Sequence, residues 1–459
     1  MSTGITPARR AAYEVLRRTF EDDAWTDRAF ASAAVHQELS GRELARGRRL
    51  AYGAVQRRGT LDHLLARLTR RGPEDIDPPV LAALRLGLFE LCFSERPDAH
   101  AVVDQAVELA KAGVRRDGAP AGRARAAAGF ANAVMRRAAG GPQGLLAGLD
   151  DETPAGAAIA HSYPQWLAEM WWRELGPTGA RTLMAAMNEP AETAFRVNTL
   201  RAAPAALAEE LARAGVEIRG AGEGLLAPPD SLVLARAEEA VRTRVLTGEL
   251  VPQSRASLAV IELLGPRPGE RILDLCAGPG IKTTAIAARM EARGELASVE
   301  LDERRAREIE ELCARTGAAN VRVRVADAAE ADLDSGYDRV LVDPPCSDLG
   351  TLASRPDARW RKSPDQIDRL ATLQRRILVR AARALCAGGT LVYSTCTISR
   401  RENEEVIGTL ERFAPDLLAE ELGAAYPALA SRRDRRFLQI RPDRDRTTGF
   451  FLARCRRAG

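Results

Sequence analysis

The stretch ILDLCAGPGIKTT, residues 272–284, decides the fold. Its first half is a short apolar run of the kind a buried strand makes, and its second half opens a helix. Between them lies Gly278-Pro279-Gly280, where two glycines let the backbone approach a ligand closely. The helix that follows offers unpaired N–H groups at its first turn, which suit an anion. The loop matches neither GxGxxG nor GxxxxGK[ST], so a nucleotide phosphate is the weaker choice and an amino-acid carboxylate the stronger.

Toward the C-terminus the same texture repeats. ELASVEL (295–301), VRVRVAD (321–327), YDRVLVD (337–343) and GTLVYSTC (389–396) are short apolar runs bounded by Gly, Asp or Pro. The helical stretches KTTAIAARMEAR (282–293), DERRAREIEELCAR (302–315) and SPDQIDRLATLQRRILVRAARAL (363–385) lie between them. RRFLQIRP (435–442) and GFFLARCR (449–456) are the last strand candidates. Buried strands joined by helices predict a doubly wound, Rossmann-like α/β sheet over residues 246–459, with its ligand at the carboxyl ends of the strands.

Upstream the pattern changes twice. Residues 157–245 mix helices (YPQWLAEMWWREL, AAPAALAEELARAG) with short strands (TAFRVNTL, SLVLAR) and predict a small α+β subdomain. The Gly- and Pro-rich run AAGGPQGLLAGLDDETPAG (138–156) reads as a linker, placed at 141–156. Residues 1–140 are helical throughout, with apolar positions at three-and-four spacing in ARRAAYEVLRRTF, GTLDHLLARL, PPVLAALRLGLFELCF and AHAVVDQAVELAKAG, and predict an all-α domain.

Composition narrows the chemistry. The 459 residues are 46% hydrophobic and 28% charged, the balance of a globular protein. No window reaches the ~18 uninterrupted apolar residues of a membrane helix. The start MSTGITPARRAAYEV has no apolar core that would act as a secretion signal, so a cytoplasmic protein with no membrane partner is expected. Residues 1–140 carry 23 Arg and Lys against 17 Asp and Glu, and this basic balance favours a polyanionic partner. The seven cysteines, at 92, 276, 313, 346, 386, 396 and 455, contain no CxxC pair, so neither a disulfide framework nor a metal site is expected. No histidine follows His161, so chemistry beyond it runs without a histidine base or ligand. Only three lysines stand among the 67 basic residues: Lys111, Lys282 and Lys362. Nothing argues for assembly, and a monomer is the expectation.

Acidic residues and thiols at the predicted strand tips give the site its character. Glu300 ends the second strand, where a carboxylate accepts from ribose hydroxyls, and Asp327 ends the third, in reach of an adenine amino group. Asp302 reads instead as a helix N-cap. Without a phosphate signature, an adenosine bound there carries methionine, which makes S-adenosylmethionine the expected cofactor. The fourth strand ends in Asp343-Pro344-Pro345-Cys346 and the fifth in Ser394-Thr395-Cys396, so two thiols face a proposed methyl donor. Carbon 5 of cytosine is a poor nucleophile until a thiolate adds to carbon 6 and makes the ring enamine-like. One cysteine then attacks and the other helps release the product, while Asp343 holds or protonates the ring at N3 and bonds the amino group. Lys282, on the first turn of the cofactor helix, is placed to orient Asp343 or touch the substrate.

From about Phe195 onward the chain resembles the Sun/Nop2 family of RNA 5-methylcytosine methyltransferases. The resemblance rests on DLCAGPGIKTT, DPPCSDLGT with RPDARWRKSPDQI after it, STCTISRRENEEV and TGFFLAR. Residues 1–140 resemble the NusB-like RNA-binding helical domain through SGRELARGRRLAYGAVQRRGTLDHLL, LRLGLFEL, AHAVVDQAVELAK and GFANAVMRR. This resemblance implies methylation of a specific cytosine in 16S rRNA, either naked or in an early small-subunit particle. It assigns attack to Cys396 and adduct resolution to Cys346. It places Cys276, Ala277, Gly278, Pro279, Gly280, Ile281, Lys282, Glu300, Asp327 and Asp343 at cofactor-contacting positions, and FRVN (195–198) at a short motif ahead of the core.

Four positions depart from the family pattern. Ile281 replaces a glycine, Pro344 an alanine and Glu300 an aspartate, and VPQSRAS (251–257) alters an expected Val-Gln-Asp around Gln253. None removes a catalytic group. Two rival readings are an exocyclic-amino methyltransferase, suggested by Asp-Pro-Pro, and a non-catalytic RNA-binding factor. The first needs an aromatic residue where Cys346 stands, and the second leaves both thiols without a use.

Overall fold

The computed structural model describes residues 4–220, 224–235 and 239–459. They form two compact units, Met1–Glu189 with Leu352–Arg361, and Pro190–Thr351 with Lys362–Gly459.

The first unit is helical. Seven helices, α1 (Pro7–Phe20), α2 (Thr26–His36), α3 (Gly41–Gln56), α4 (Arg58–Thr69), α5 (Pro78–Phe93), α6 (Ala99–Arg116) and α7 (Ala121–Ala139), pack around Leu16, Val55, Leu64, Leu84, Leu88, Val102 and Met135. Helix α5 is buried on nearly every side, which its almost continuous apolar run requires. Asp98 caps α6 by accepting from Ala101 N at 3.1 Å.

The stretch expected as a linker is partly helical: α8 (Pro142–Ala147) lies inside it and α9 (Pro154–His161) starts within it. Leu145, Leu146 and Leu149 pack on the helical core, so the apolar residues outweigh the Gly and Pro around them. The compact unit then continues through α10 (Gln165–Ala186), broken at Gly176 (φ 74°), and ends at Glu189. Thr60 Oγ1 donates to Ile159 O at 2.6 Å, and Gly59 N donates to Ser162 Oγ at 2.9 Å.

Residues 352–361, inside the 246–459 stretch, group with the compact helical unit. Arg359 is fully buried there, its guanidinium 4.0 Å from the Tyr163 ring centroid and donating to Asn188 Oδ1 at 2.9 Å and Ser162 O at 3.0 Å. Trp360 Nε1 donates to Val55 O at 3.0 Å. Truncating Arg359 strands these buried acceptors, and Arg359→Ala is expected to cost about 2–3 kcal/mol. A urea titration reads this as a lowered midpoint, and an unmoved midpoint would show that the buried cation contributes nothing net.

The second unit holds two sheets. The smaller has the order β2-β3-β1-β4, all antiparallel, from β1 (Thr193–Val197), β2 (Ile218–Arg219), β3 (Ser231–Leu234) and β4 (Leu250–Pro252). Helices α11 (Pro204–Arg213) and α12 (Glu239–Leu246) bury Leu207, Leu211 and Val241 with Phe195, Val197, Leu232 and Leu250. Strand SLVLAR is thus β3, and its Arg236 lies outside the described residues.

The larger sheet is ordered β10-β12-β9-β8-β5-β6-β7, with β11 on β12. Its members are β5 (Arg271–Leu275), β6 (Glu295–Glu300), β7 (Val321–Val325), β8 (Tyr337–Val342), β9 (Leu385–Thr395), β10 (Leu417–Ala419), β11 (Leu438–Ile440) and β12 (Phe450–Arg457). Strands β5 to β9 run parallel, whereas β12 is antiparallel to β9, β10 and β11, so the sheet is mixed. Helices α13 (Arg255–Leu264), α14 (Ile281–Arg289) and α15 (Glu303–Thr316), with helix Pro364–Ala384, join or cover these strands. Asp302 caps α15 by accepting from Arg305 N at 2.9 Å, and Ala306, Ile309, Cys313 and Thr316 turn inward at three-and-four spacing. The chain runs from β5 outward to β6 and β7, then returns to β8 on the other side of β5. That reversal makes the carboxyl end of β5 a topological switch point, the crevice where open α/β sheets bind ligands. Among the described residues, no helix is long and apolar enough to cross a membrane.

Candidate active site

The Gly-rich loop is held to its neighbouring strand by backbone. Ala277 N donates to Val299 O at 3.0 Å, and Gly278 N donates to Glu300 Oε2 at 2.9 Å. A Cβ at Gly278 would lie 2.4 Å from that same oxygen, so the close approach needs glycine. Gly280, at φ 95°, passes 3.2 Å from Cα of Ile309 as measured from an added Cβ, and this pins α14 to α15. Ile281, one of the departures from the family pattern, begins α14 directly after this turn. Pro279 lies inside the turn closed by Gly280 N on Ala277 O at 2.8 Å.

Both predicted cofactor acids stand at strand tips. Glu300 ends β6 and also accepts from Asp302 N at 3.1 Å. Asp327 follows β7 and accepts from Ala329 N at 2.8 Å. Leu301 and Val325, beside these acids, are 66% and 51% exposed, leaving two apolar faces next to two acceptors. The motif ahead of the core lies beneath the loop: buried Arg196 donates to Gln253 Oε1 at 2.9 Å and to Thr284 Oγ1 on α14 at 3.1 Å. Asn198 donates to Gly248 O and Thr316 O. Gln253 therefore serves Arg196 and Ser257 in this structure.

At the tip of β8, Asp343 Oδ2 takes a charge-assisted bond from Lys282 Nζ at 2.6 Å, and its Oδ1 accepts from Ser394 Oγ on β9 at 2.9 Å. Burial depresses the Lys282 ammonium, but Asp343 outweighs it and the net shift is upward. This ammonium also lies 5.3 Å from the Phe450 ring centroid. Behind it, Asp274 is buried on β5 with Thr283 Oγ1 at 2.7 Å, and desolvation, opposed by that bond, pushes its carboxyl up to about 7. Cys276 follows β5 at φ 62°, its thiol pushed up by burial and then by Asp343 and Glu300.

The two strand-tip thiols meet. Cys346 Sγ and Cys396 Sγ are 3.3 Å apart. The bond to Cys346, then burial and the nearby acids, push the Cys396 thiol well up. For Cys346 the bond to Cys396 pulls the other way, but burial with Asp348 and Glu402 leaves it raised as well.

Sequence reasoning missed what ties the two loops together. Glu402, fully buried, accepts from Ser347 N at 2.8 Å, Thr397 Oγ1 at 3.4 Å and Gln374 Nε2 at 3.1 Å. Ser347 follows Cys346 and Thr397 follows Cys396, so one carboxylate anchors both cysteine loops. Gly350 N donates to Cys396 O at 2.9 Å and Gly350 O accepts from Gly449 N at 2.8 Å, bringing the DLGT and TGFF motifs against the Cys396 loop. The signal for Glu402 lay in RRENEEV, where a charged run reads as a solvated face.

A Gly-rich turn at the switch point of a mixed sheet, followed by acids on successive strand tips, defines a Rossmann-like methyltransferase domain. Comparison with known proteins agrees. The family model for 16S rRNA methyltransferase RsmB/F matches residues 261–456, the NusB family model matches 6–140, and an RsmF/B-like ferredoxin-like domain model matches 163–237. A Bacillus subtilis (strain 168) protein named "Probable ribosomal RNA small subunit methyltransferase B" is 31% identical, covering 99% of each chain. Ribosomal RNA small subunit methyltransferase B of Thermus thermophilus is 35% identical over 89% of this chain and 87% of its own. The crystal structure of PH0851 superposes with a TM-score of 0.80 at 24% identity, covering 99% of both chains, and bears on the fold. The chain belongs to the 16S rRNA methyltransferase RsmB/F family.

Proposed function

We propose that this protein transfers a methyl group from S-adenosylmethionine to carbon 5 of a cytosine in 16S rRNA, through a covalent bond between Cys396 and carbon 6. The observation that carries the reading is the 3.3 Å approach of two thiols from different strands, beside the Lys282–Asp343–Ser394 cluster. An amino-group methyltransferase has no use for a second thiol at that distance. Relatives of matching length are named for the small-subunit ribosomal RNA, which supports the substrate.

The residues present fit the cofactor. The Gly278–Glu300 bond sets an acceptor beside the Gly-rich loop, and the exposed Leu301 and Val325 flank the acceptors Glu300 and Asp327 as a purine and a ribose require. The first turn of α14 offers N–H groups to a carboxylate. Once bound, S-adenosylmethionine supplies an electrophilic methyl group. Cys396 adds to carbon 6 and makes carbon 5 able to take that methyl. Asp343, steadied by Lys282, holds a proton at N3 and accepts from the amino group as charge develops. Cys346 serves release of the adduct as carbon 5 loses its proton. The basic helical domain contributes RNA binding, and the cytoplasm is the compartment where both substrates meet.

The test is to incubate the protein with labelled S-adenosylmethionine and unmodified small-subunit rRNA, naked and as particles, and to map the label by nuclease digestion and mass spectrometry. Label on cytosine carbon 5 is expected, and label on an exocyclic amine would overturn the reading. The ribose assignment has its own check. Glu300→Ala is expected to weaken S-adenosylmethionine binding about 10- to 100-fold, the loss of a hydrogen bond to a charged acceptor. Calorimetry measures it, and an unchanged affinity would remove Glu300 from the pocket.

A further inference from the structure

The carboxylate of Asp348, a residue that the sequence did not single out, touches the thiol pair. Oδ1 lies 3.0 Å from Cys396 Sγ and 3.9 Å from Cys346 Sγ, and Oδ2 lies 3.5 Å from Lys362 Nζ. Lys362 is one of only three lysines in the chain, and its side chain is 9% exposed. Asp348 adopts φ 58°, a left-handed conformation that costs most side chains energy, and Thr351 N holds its carbonyl at 2.9 Å. The three ligand-type atoms of Cys346, Asp348 and Cys396 lie within 4.8 Å of one another, but the Lys362 ammonium on the same carboxylate disfavours a metal cation there.

The thiols pose a problem that this carboxylate solves. The bond to Cys346, burial and the acids around Cys396 (Asp348 and Asp343) all oppose a free thiolate. Its proton must therefore leave as sulfur bonds to carbon, and the acceptor must already be within hydrogen-bonding reach. No histidine follows His161. Asp343 is engaged by Lys282 and Ser394, and Glu402 by Ser347, Thr397 and Gln374. Asp348 is the carboxylate on the Cys396 sulfur.

We propose that Asp348 is a further catalytic residue, the general base that takes the Cys396 thiol proton during attack on cytosine, with Lys362 positioning its carboxylate. The inference rests on the covalent reading above. In the first step the S–H bond breaks, the proton passes to Asp348 Oδ1, and the sulfur electron pair forms the S–C6 bond. The C5–C6 π pair moves to C4–C5, the C4–N3 pair moves to N3, and N3 takes the proton held at the Asp343–Lys282 pair. Carbon 5 then takes the methyl with the C4–C5 pair, the N3 pair returns to re-form the C4–N3 double bond, and the sulfonium S–CH3 bond breaks toward sulfur. The C5 proton passes to solvent water and its C–H pair restores C5–C6, the C6–S bond breaks toward Cys396, and Asp348 returns its proton to that sulfur. N3 gives back its proton, so one proton is released per methyl transferred.

The test is single-turnover methyl transfer from pH 6 to 9 with wild type, Asp348→Asn and Asp348→Gly, both replacements being at ease at positive φ. Each variant is expected to lose about 10²–10³-fold near pH 7. Its rate should then climb roughly tenfold per pH unit, as thiolate forms without help, where wild type is flatter. Affinity for S-adenosylmethionine should stay at the wild-type value, which separates this loss from misfolding. Variants within twofold of wild type at every pH would overturn the proposal. Faster variants would too, because they would make the carboxylate a brake on the thiolate. A wild type that labels cytosine carbon 5 while the variants match it defeats Asp348 alone; a wild type that does not label carbon 5 defeats both readings.

Discussion

Cys396→Ala is expected to abolish methyl transfer, with a loss on the order of 10⁴-fold or more in single-turnover rate. Without sulfur at the tip of β9, nothing adds to carbon 6, and carbon 5 stays too electron-poor to take a methyl group. Cys346, 3.3 Å away, does not substitute, because its own loop is fixed by Ser347 on Glu402 and points it at the pair rather than at a vacated position. Binding of S-adenosylmethionine should survive, since Cys396 follows β9 and the Gly-rich loop follows β5. Filter-binding assays of labelled RNA measure the rate, and calorimetry measures the affinity. A Cys396→Ala protein retaining a tenth of wild-type activity would take the nucleophile's role away from this thiol.

Cys346→Ala is expected to behave differently. On the proposed mechanism, attack and methylation need Cys396, Asp348 and the Lys282–Asp343 pair, all still present, while release of the adduct needs the missing thiol. The variant should therefore stall after carbon–sulfur bond formation and accumulate protein covalently joined to RNA. On denaturing gels it should show a slow band holding most of the protein at equimolar RNA, whereas wild type and Cys396→Ala show none. Normal turnover by Cys346→Ala, without an adduct, would contradict the division of labour between the thiols.

The parts of this site that were legible in the sequence are those fixed by strand tips. Asp343 and Cys346 follow β8 and Cys396 follows β9, and these strands are parallel neighbours with Val342 opposite Tyr393, so residues 50 apart in the chain meet at one edge. Lys282 was legible because a lysine stands out in an arginine-rich chain and α14 begins where β5 ends. Asp348, Lys362 and Glu402 were not legible, because their partners are set by loop paths that carry no periodicity. The mixed character of the sheet was also hidden: a central apolar strand such as GFFLARCR reads the same whether it runs parallel or antiparallel to β9. The helical unit's reach to Glu189, and its hold on residues 352–361, depend on single side chains such as the buried Arg359 and the half-buried Trp360, which in the sequence look like surface arginine-rich chain.

The most direct test of the central claim is to digest the Cys346→Ala adduct with protease and nuclease and to sequence the cross-linked peptide by mass spectrometry. The account predicts a peptide containing Cys396 joined to a cytidine that already carries one extra methyl group. A cross-link to any other residue, or the absence of any adduct from a preparation whose wild-type parent methylates cytosine, would contradict it.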